Sequence, residues 1–179
     1  MDQANVLVQG QAEARLPDGL RRVSLWLRER SHLHAPLMLD AAARTAQQAA
    51  DALGVELGQI AKSIVFCRQP DLRAVLVIAS GDRRVDERKV ARLICSQGQD
   101  LGRADADFVK NATGFSIGGV SPVAHTGAPL LLIDRELARF SQIWAAAGHP
   151  HAVFRLTPDD LCRLTGCQLS DVALEVSGL

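Results

Sequence analysis

Residues 59–80 read QIAKSIVFCRQPDLRAVLVIAS and hold two apolar runs separated by a short polar segment. The first run turns apolar at residues 64–66, and the second, residues 72–79, is rich in β-branched side chains. Between them, Gln69-Pro70-Asp71 has the residue types that favour a tight turn. This stretch predicts a β-hairpin.

Helical and extended patterns alternate on both sides of the hairpin. The sequence predicts a helix over residues 46–53, with Thr45 as N-cap and Gly54 as its stop. Further helices are predicted over residues 18–30, 82–95, 105–111 and 158–166, and further strands over residues 34–39, 130–133, 142–146 and 152–156. A strand is also expected to run from Phe115 into a tight glycine loop. Because no strict βαβ period is present, we predict an α/β fold of the α+β type, a mixed sheet flanked by helices.

Length and composition limit the class of protein. The 179 residues fit one domain, 1–179, and 47% hydrophobic with 22% charged residues is typical of a globular chain. Twenty basic and twenty acidic residues give zero net charge. A protein that coats nucleic acid is therefore excluded, and a local basic patch is still allowed.

The chain lacks the features of a membrane or secreted protein. Its longest apolar runs, residues 74–79 and 128–133, have six residues, whereas a membrane span needs about 20. The N-terminal residues do not resemble a secretory signal, so we expect a cytoplasmic protein without disulfides. No CxxC pair occurs among the cysteines, and we interpret all four as small core residues: Cys67, Cys95, Cys162 and Cys167.

A serine-hydrolase motif is one candidate site. Residues 114–118, GFSIG, match GxSxG around Ser116, and Asp134 then His149 or His151 follow in the order of a catalytic triad. The motif needs a strand before the serine and a helix after it. Here a helical pattern precedes the motif, and residues 119–122 resist helix formation. The hydrolase is therefore the weaker alternative.

Two other motifs give little support to a cofactor or a metal. Lys62-Ser63 resembles the end of a phosphate-binding P-loop, but Glu56 and Ala61 stand where that loop needs glycine. His149 and His151 have metal-ligand spacing without a third ligand nearby. We therefore predict no cofactor and no metal, and Lys62 stays open as a surface lysine or a site residue.

A basic stripe lies on the helix predicted after the hairpin. Arg84, Arg88 and Arg92 recur every four residues, and residues 83–92 carry a net charge of +3. Such a stripe suits contact with a few phosphates or an ordinary solvated face, and both interpretations stay open.

Several segments together resemble the YbaK/EbsC family over about residues 18–167. In chain order these segments are TAQQAA at 45–50, IAKSIVF at 60–66, SGDRRVD at 80–86, TGFSIGGVSP at 113–122, ID at 133–134, AAG at 146–148 and LTPDDL at 156–161. The family is similar to the editing domain inserted in bacterial prolyl-tRNA synthetases, and its free-standing members are aminoacyl-tRNA deacylases. The resemblance implies a mixed, partly closed sheet wrapped by helices.

The resemblance also implies site residues. Lys62 matches the family's functional lysine, Gly118 and Pro122 match its GxxxP substrate loop, and Asp134 matches an acidic position in a later turn. We add Gly119 to the catalytic loop and expect substrate contacts at residues beside these landmarks: Ser63, Ser121, Gly148 and His151. Several relatives have a serine where this chain has Ala146, which leaves the amino acid removed open.

An aminoacyl ester is already activated, so a positioned water and stabilisation of the developing oxyanion suffice for hydrolysis. We therefore expect a deacylase that removes Ala, Cys or Ser from tRNA(Pro) without a metal or a covalent intermediate. Its expected partner is the acceptor end of aminoacyl-tRNA, with prolyl-tRNA synthetase as a further candidate, and neither DNA nor membrane is expected. The alternative from another class is a module of the same fold that binds a tRNA end or a nucleotide without turnover.

Overall fold

The computed structural model describes residues 16–175, which form helices packed on both faces of one mixed sheet. The helices are α1 (Asp18–Glu29), α2 (Ala46–Leu53), α3 (Glu87–Ile94), α4 (Ala106–Thr113) and α5 (Pro158–Thr165), with short 3-10 turns at Leu57–Gln59 and Arg135–Arg139. The strands are β1 (Leu37–Met38), β2 (Ile60–Gln69), β3 (Arg73–Ser80), β4 (Asp100–Arg103), β5 (Leu130–Asp134), β6 (Ile143–His149), β7 (Ala152–Leu156) and β8 (Leu169–Ser170). The prediction of a mixed sheet flanked by helices is confirmed.

The predicted hairpin is the centre of the sheet. β2 and β3 pair antiparallel from Ala61 opposite Ser80 to Arg68 opposite Arg73. The sheet order is β1-β7-β6-β2-β3-β5-β8, and β4 adds to β2. β2 pairs with β6 in parallel, and β3 pairs with β5 in parallel. The hairpin therefore joins β1, β7 and β6 on one side of the sheet to β5 and β8 on the other.

Alternating side chains of β3 divide the core between the two faces. Leu76 and Ile78 belong to the cluster that also buries apolar residues of α1, α4 and α5. Val75 and Val77 point to the other face, where they pack with Val90 of α3. α2 covers that second face through Ala49 and Ala50 against Ile60. Because successive side chains of β3 point to opposite faces and are apolar on both, each face of the sheet is covered by helices.

Polar caps and glycines set the helix ends. The Thr45 hydroxyl accepts a hydrogen bond from the Gln48 N–H, and the Thr45 N–H donates to Gln48 Oε1. Gly54 ends α2 at φ 65°. The predicted helix over residues 82–95 begins later, because Asp86 accepts hydrogen bonds from the N–H groups of Arg88 and Lys89 and caps α3.

The strand predicted at Phe115 was wrong, whereas the tight glycine loop predicted after it is present. No strand is formed by residues 114–122, which make a loop after Gly114 ends α4 at φ 75°. The short strands β4 and β8 were not predicted, because neither has an apolar run of strand length. Within residues 16–175, none of the helices combines the length and the hydrophobicity needed to span a membrane.

Candidate active site

A cavity opens where two strands of the sheet diverge. β2 pairs with β6 only at Ile60 and Ala61, and it pairs with β4 only from Phe66 onward. Residues 62–65 therefore have no strand beside them on this edge. The space has a volume of about 250 Å³.

Four segments that are distant in sequence form the cavity wall. They are the edge of β2, the first turn of α2 with the residues before it, the glycine-rich loop, and β6 with the turn into β7. The lining residues are Ala43, Arg44, Thr45, Ala46, Ala49, Ile60, Ala61, Lys62, Ser63, Ile64, Ile117, Gly118, Val120, Trp144, Ala145, Ala146, His149, Pro150, Ala152 and Val153. Most are small or apolar, so the wall has few charged groups.

Lys62 is one of two cationic side chains in this wall. Its Nζ donates to the carbonyl oxygens of Gly81, at 2.9 Å, and Arg83, at 2.6 Å. Since an ammonium has three N–H donors, one donor is left for a bound molecule. Burial lowers the pKa of Lys62, the charges of Asp82 and Asp134 oppose this effect, and Arg84 adds to it.

The turn that holds Lys62 is itself fixed by a buried carboxylate. Asp134 is fully buried and accepts hydrogen bonds from the Ser80 N–H and the Glu136 N–H. Burial raises the pKa of Asp134, and the two N–H donors oppose that rise. Ser80 Oγ lies 2.7 Å from the Gly58 carbonyl oxygen and 2.8 Å from Asp82 Oδ1, and its one proton can be donated to either. Asp82 also forms an ion pair with Arg139. Asp134 thus fixes the end of β3, just before the carbonyls that bind Lys62.

The glycine-rich loop reaches the cavity through Ile117, Gly118 and Val120. Gly118 lines the wall and has φ 89°, a conformation that side chains disfavour. A Cβ on Gly118 would lie 3.6 Å from Arg44 Cα. The N–H of Gly119 is already used, since it donates to the Ser116 carbonyl oxygen at 3.0 Å.

The same loop is anchored from α1. Arg22 Nε donates to the Ala124 carbonyl oxygen at 2.7 Å, and its guanidinium lies 4.3 Å from the ring centroid of Phe115. His125 packs edge to face on Phe115, and its Nε2 lies 2.8 Å from the Ser121 carbonyl oxygen. These contacts give the loop a fixed shape without a regular element.

The partly buried His125 is expected to make the stability of the protein depend on pH. Burial lowers its pKa, the hydrogen bond to Ser121 opposes the shift, and the cation Arg22 adds to it. Because the unfolded histidine takes up a proton near pH 6.5 and the folded one only at a lower pH, the free energy of unfolding falls as pH drops below about 6.5. For one such group, the loss between pH 7.5 and 5.5 is at most about 1.4 kcal/mol.

His125→Gln is expected to reduce this loss, because an amide keeps a donor toward the Ser121 carbonyl and does not titrate. Urea unfolding of both proteins at the two pH values measures the difference. Equal losses in the two proteins would show that His125 does not cause the pH dependence.

Two buried polar atoms of wall residues have no hydrogen-bond partner among residues 16–175: Ser63 Oγ and Trp144 Nε1. Buried donors and acceptors are nearly always paired in folded proteins. Ser63 and Trp144 both border the cavity. A polar molecule bound there could satisfy them.

The structure places the residues predicted for the site in two groups. Lys62, Ser63 and Gly118 line the cavity. Six others do not line it: Gly119, Ser121, Pro122, Asp134, Gly148 and His151. Pro122 borders a second hollow beside Trp26, and the Ser121 hydroxyl accepts from the Val123 N–H inside the loop. Any contact that these six make with a substrate remains a prediction.

Sequence reasoning also missed parts of the wall. Arg44, Trp144 and His149 line the cavity, and no motif singled out the first two. Arg44 lies just before the N-cap of α2 and Trp144 lies on β6, and their place in one wall follows only from the pairing of the strands.

The basic stripe lies outside the cavity. Arg84, Arg88 and Arg92 are exposed, and they lie before and along α3.

The surroundings of Ser116 do not match a nucleophile elbow. Ser116 is exposed on a loop that follows α4, and the residues after it form turns rather than a helix. The elbow needs a strand before its serine and a helix directly after it. Among residues 16–175, no group of three or more His, Cys, Asp or Glu side chains is placed to hold a metal.

The comparison with protein families agrees with this geometry. Residues 40–164 match the model of the aminoacyl-tRNA editing domain, and this range includes every cavity-lining residue. The chain belongs to the aminoacyl-tRNA editing domain family. The resemblance to the YbaK/EbsC proteins is thereby confirmed, and Lys62 and Gly118 lie in the cavity of an editing domain.

Three individual proteins are similar to this editing domain. YwhH of Bacillus subtilis (strain 168), an uncharacterized protein, is 33% identical over 117 residues, 65% of this chain and 72% of YwhH. EbsC of Enterococcus faecalis (strain ATCC 700802 / V583), a candidate Cys-tRNA(Pro)/Cys-tRNA(Cys) deacylase, is 26% identical over 128 residues, 72% of this chain and 76% of EbsC. The third is a candidate trans-editing enzyme for prolyl-tRNA synthetase, known from a crystal structure, which has 40% sequence identity to this chain. The two structures superpose with a TM-score of 0.81, and the match covers 89% of this chain and 99% of that one.

Proposed function

We propose that this editing domain acts as a trans-editing deacylase, which hydrolyses the ester between a small amino acid and tRNA(Pro). The names of two similar proteins support this substrate class: one describes a deacylase of Cys-tRNA(Pro), the other a trans-editing enzyme for prolyl-tRNA synthetase. The observation that carries the proposal is the cavity itself, where a lysine with a spare donor faces small, apolar walls beside a glycine loop.

The chemistry needs only a water and stabilisation of charge. Water attacks the ester carbonyl carbon, the carbonyl oxygen becomes an oxyanion, and the ribose hydroxyl leaves with a proton. The spare Nζ donor of Lys62 is suited to bind that oxyanion or the phosphate next to the ester. The N–H of Gly118 can add a second donor, because no residue in 16–175 accepts from it.

The size of the cavity favours a small amino acid. Its volume of about 250 Å³ is below the roughly 300–1,000 Å³ of sites for drug-sized molecules. The walls at residues 145 and 146 are alanines, so an apolar methyl group or a small polar side chain fits best there. Ser63 and Trp144 add polar atoms that a serine hydroxyl or a cysteine thiol could pair with.

The tRNA body would lie outside the cavity. The positive charge of Arg84 is close enough to lower the pKa of Lys62, so the basic stripe of Arg84, Arg88 and Arg92 begins near the site. We propose that the stripe contacts a few phosphates of the acceptor stem. Prolyl-tRNA synthetase, the source of the mischarged tRNA, is the proposed functional partner, and the cytoplasm is then the proposed location.

Release of amino acid from mischarged tRNA tests the proposal. We expect the wild type to deacylate at least one of Ala-, Cys- and Ser-tRNA(Pro) faster than buffer alone, at a rate that EDTA does not change. Correctly charged Pro-tRNA(Pro) is the control substrate and should stay intact. Loss of activity in EDTA would overturn the metal-free mechanism.

A wild type that binds these tRNAs without releasing any amino acid would support the binding module instead. Labelling of Ser116 by a fluorophosphonate probe would support the serine hydrolase. Neither result is expected, because Ser116 lies outside the cavity wall and Lys62 lies within it.

A further inference from the structure

Arg44 is the second cationic residue in the cavity wall, and no motif or family landmark assigned it a role. It directly precedes Thr45, the N-cap of α2, and its own N–H donates to Gln48 Oε1 at 3.0 Å. Its Cα and carbonyl oxygen lie against Gly118, 3.6 and 3.7 Å from the position of a Cβ there. The backbone of Arg44 is therefore fixed between α2 and the glycine-rich loop.

The side chain of Arg44 carries its positive charge at the wall of the cavity. Arg44 is exposed, and no carboxylate of residues 16–175 forms an ion pair with its guanidinium. Lys62, the other cation of the wall, already donates to two carbonyl oxygens. Arg44 thus brings an unneutralised positive charge to the cavity.

The expected substrate has one group that matches this charge. The cavity of about 250 Å³ has room for an amino acid but not also for the nucleotide that carries it. If the amino acid fills the cavity, the terminal adenosine and its phosphodiester must lie at the mouth. A guanidinium binds phosphate oxygens through two parallel N–H donors.

We propose that Arg44 binds the last phosphodiester of the tRNA acceptor end and so positions the ester against Lys62 and Gly118. This inference rests on the proposed deacylase function and adds a phosphate contact to it. Arg44 is then a substrate-binding residue for the part of the substrate that every aminoacyl-tRNA shares. It should affect all substrates of the enzyme alike.

The experiment combines an arginine variant with a change of the phosphate. The two substrates are aminoacylated acceptor-stem minihelices, one natural and one with an uncharged methylphosphonate at the last linkage. Arg44→Gln is expected to lower kcat/KM about tenfold or more on the natural minihelix and less than twofold on the methylphosphonate one. Arg73→Gln is the matched control, because Arg73 is exposed at the far end of the β2–β3 hairpin.

Each outcome gives a distinct answer. An equal loss on both substrates would show that Arg44 supports the loop rather than the phosphate, and no loss on either would show that it has no role; both overturn this inference alone. A wild type that hydrolyses neither minihelix, nor any full-length mischarged tRNA, would overturn the proposed function and this inference with it.

Discussion

Lys62→Ala is expected to lower kcat/KM for release of the amino acid by about 100-fold or more. Removal of one oxyanion donor from an enzyme commonly costs about 100- to 1,000-fold in rate. Lys62 supplies the one ammonium group that reaches the wall of the cavity, and its spare donor has no partner among residues 16–175. The measurement is initial deacylation rate on the preferred mischarged tRNA at several enzyme concentrations.

Folding must be separated from activity in this variant. Without the ammonium, the part-buried carbonyls of Gly81 and Arg83 each lose a donor. Because water can replace it there, the cost of each should stay below the roughly 1–3 kcal/mol of a fully buried group. Lys62→Met keeps most of the aliphatic stem and is the second variant, with thermal unfolding measured on both. Lys110→Ala is the control, because Lys110 is an exposed lysine on α4.

If Lys62→Ala and Lys62→Met both keep wild-type rates, Lys62 is not part of the site, and the chemistry must be assigned elsewhere. If both lose activity while remaining folded and Lys110→Ala does not, the loss is due to the ammonium at this position.

Local patterns predicted the elements around the site well, because their signals lie in a few neighbouring residues. The reciprocal cap at Thr45 and Gln48 and the left-handed Gly54 define α2 from the sequence alone. The hairpin of β2 and β3 was equally readable from two apolar runs and a turn. These elements contribute Lys62, the candidate catalytic residue, and the segment that contains Arg44.

The shape of the cavity could not be predicted in the same way. It depends on where β6 leaves β2 after only two paired residues, and no local pattern encodes that divergence. A strand was predicted to start at Phe115 because the glycines and the proline that follow disfavour a helix. The segment is instead a loop, held by the long-range contact from Arg22 to Ala124 and by the local contact between His125 and Ser121. The carbonyl partners of Lys62 lie about 20 residues away and appear only when β3 is paired with β2.

Gly148→Ala is expected to destabilise the fold by about 3 kcal/mol or more. Gly148 has φ 84°, and a Cβ there would lie 2.5 Å from the backbone of Gly19 in α1. Backbone cannot move aside as a side-chain tip can, so the contact between α1 and β6 must open. Urea unfolding gives the free energy, and Gly166→Ala is the control, with φ 70° and no atom within 4 Å of its Cβ. The control should cost only about 1 kcal/mol, the ordinary penalty of a left-handed alanine.

The close approach of Gly19 in α1 to Gly148 in β6 connects helix packing with the shape of the cavity. A Cβ on Gly19 would overlap the Gly148 carbonyl oxygen, so Gly19→Ala opens the crossing from the other side. Since both changes disturb one contact, the double variant should lower the free energy of unfolding by clearly less than the sum of the two single losses.

The next residues, His149 and Pro150, line the cavity, so both single variants should also lower kcat/KM where they remain folded. A Gly148→Ala protein with wild-type stability and reduced activity would instead support the direct substrate contact predicted for Gly148, and additive costs would mean that the two glycines act separately.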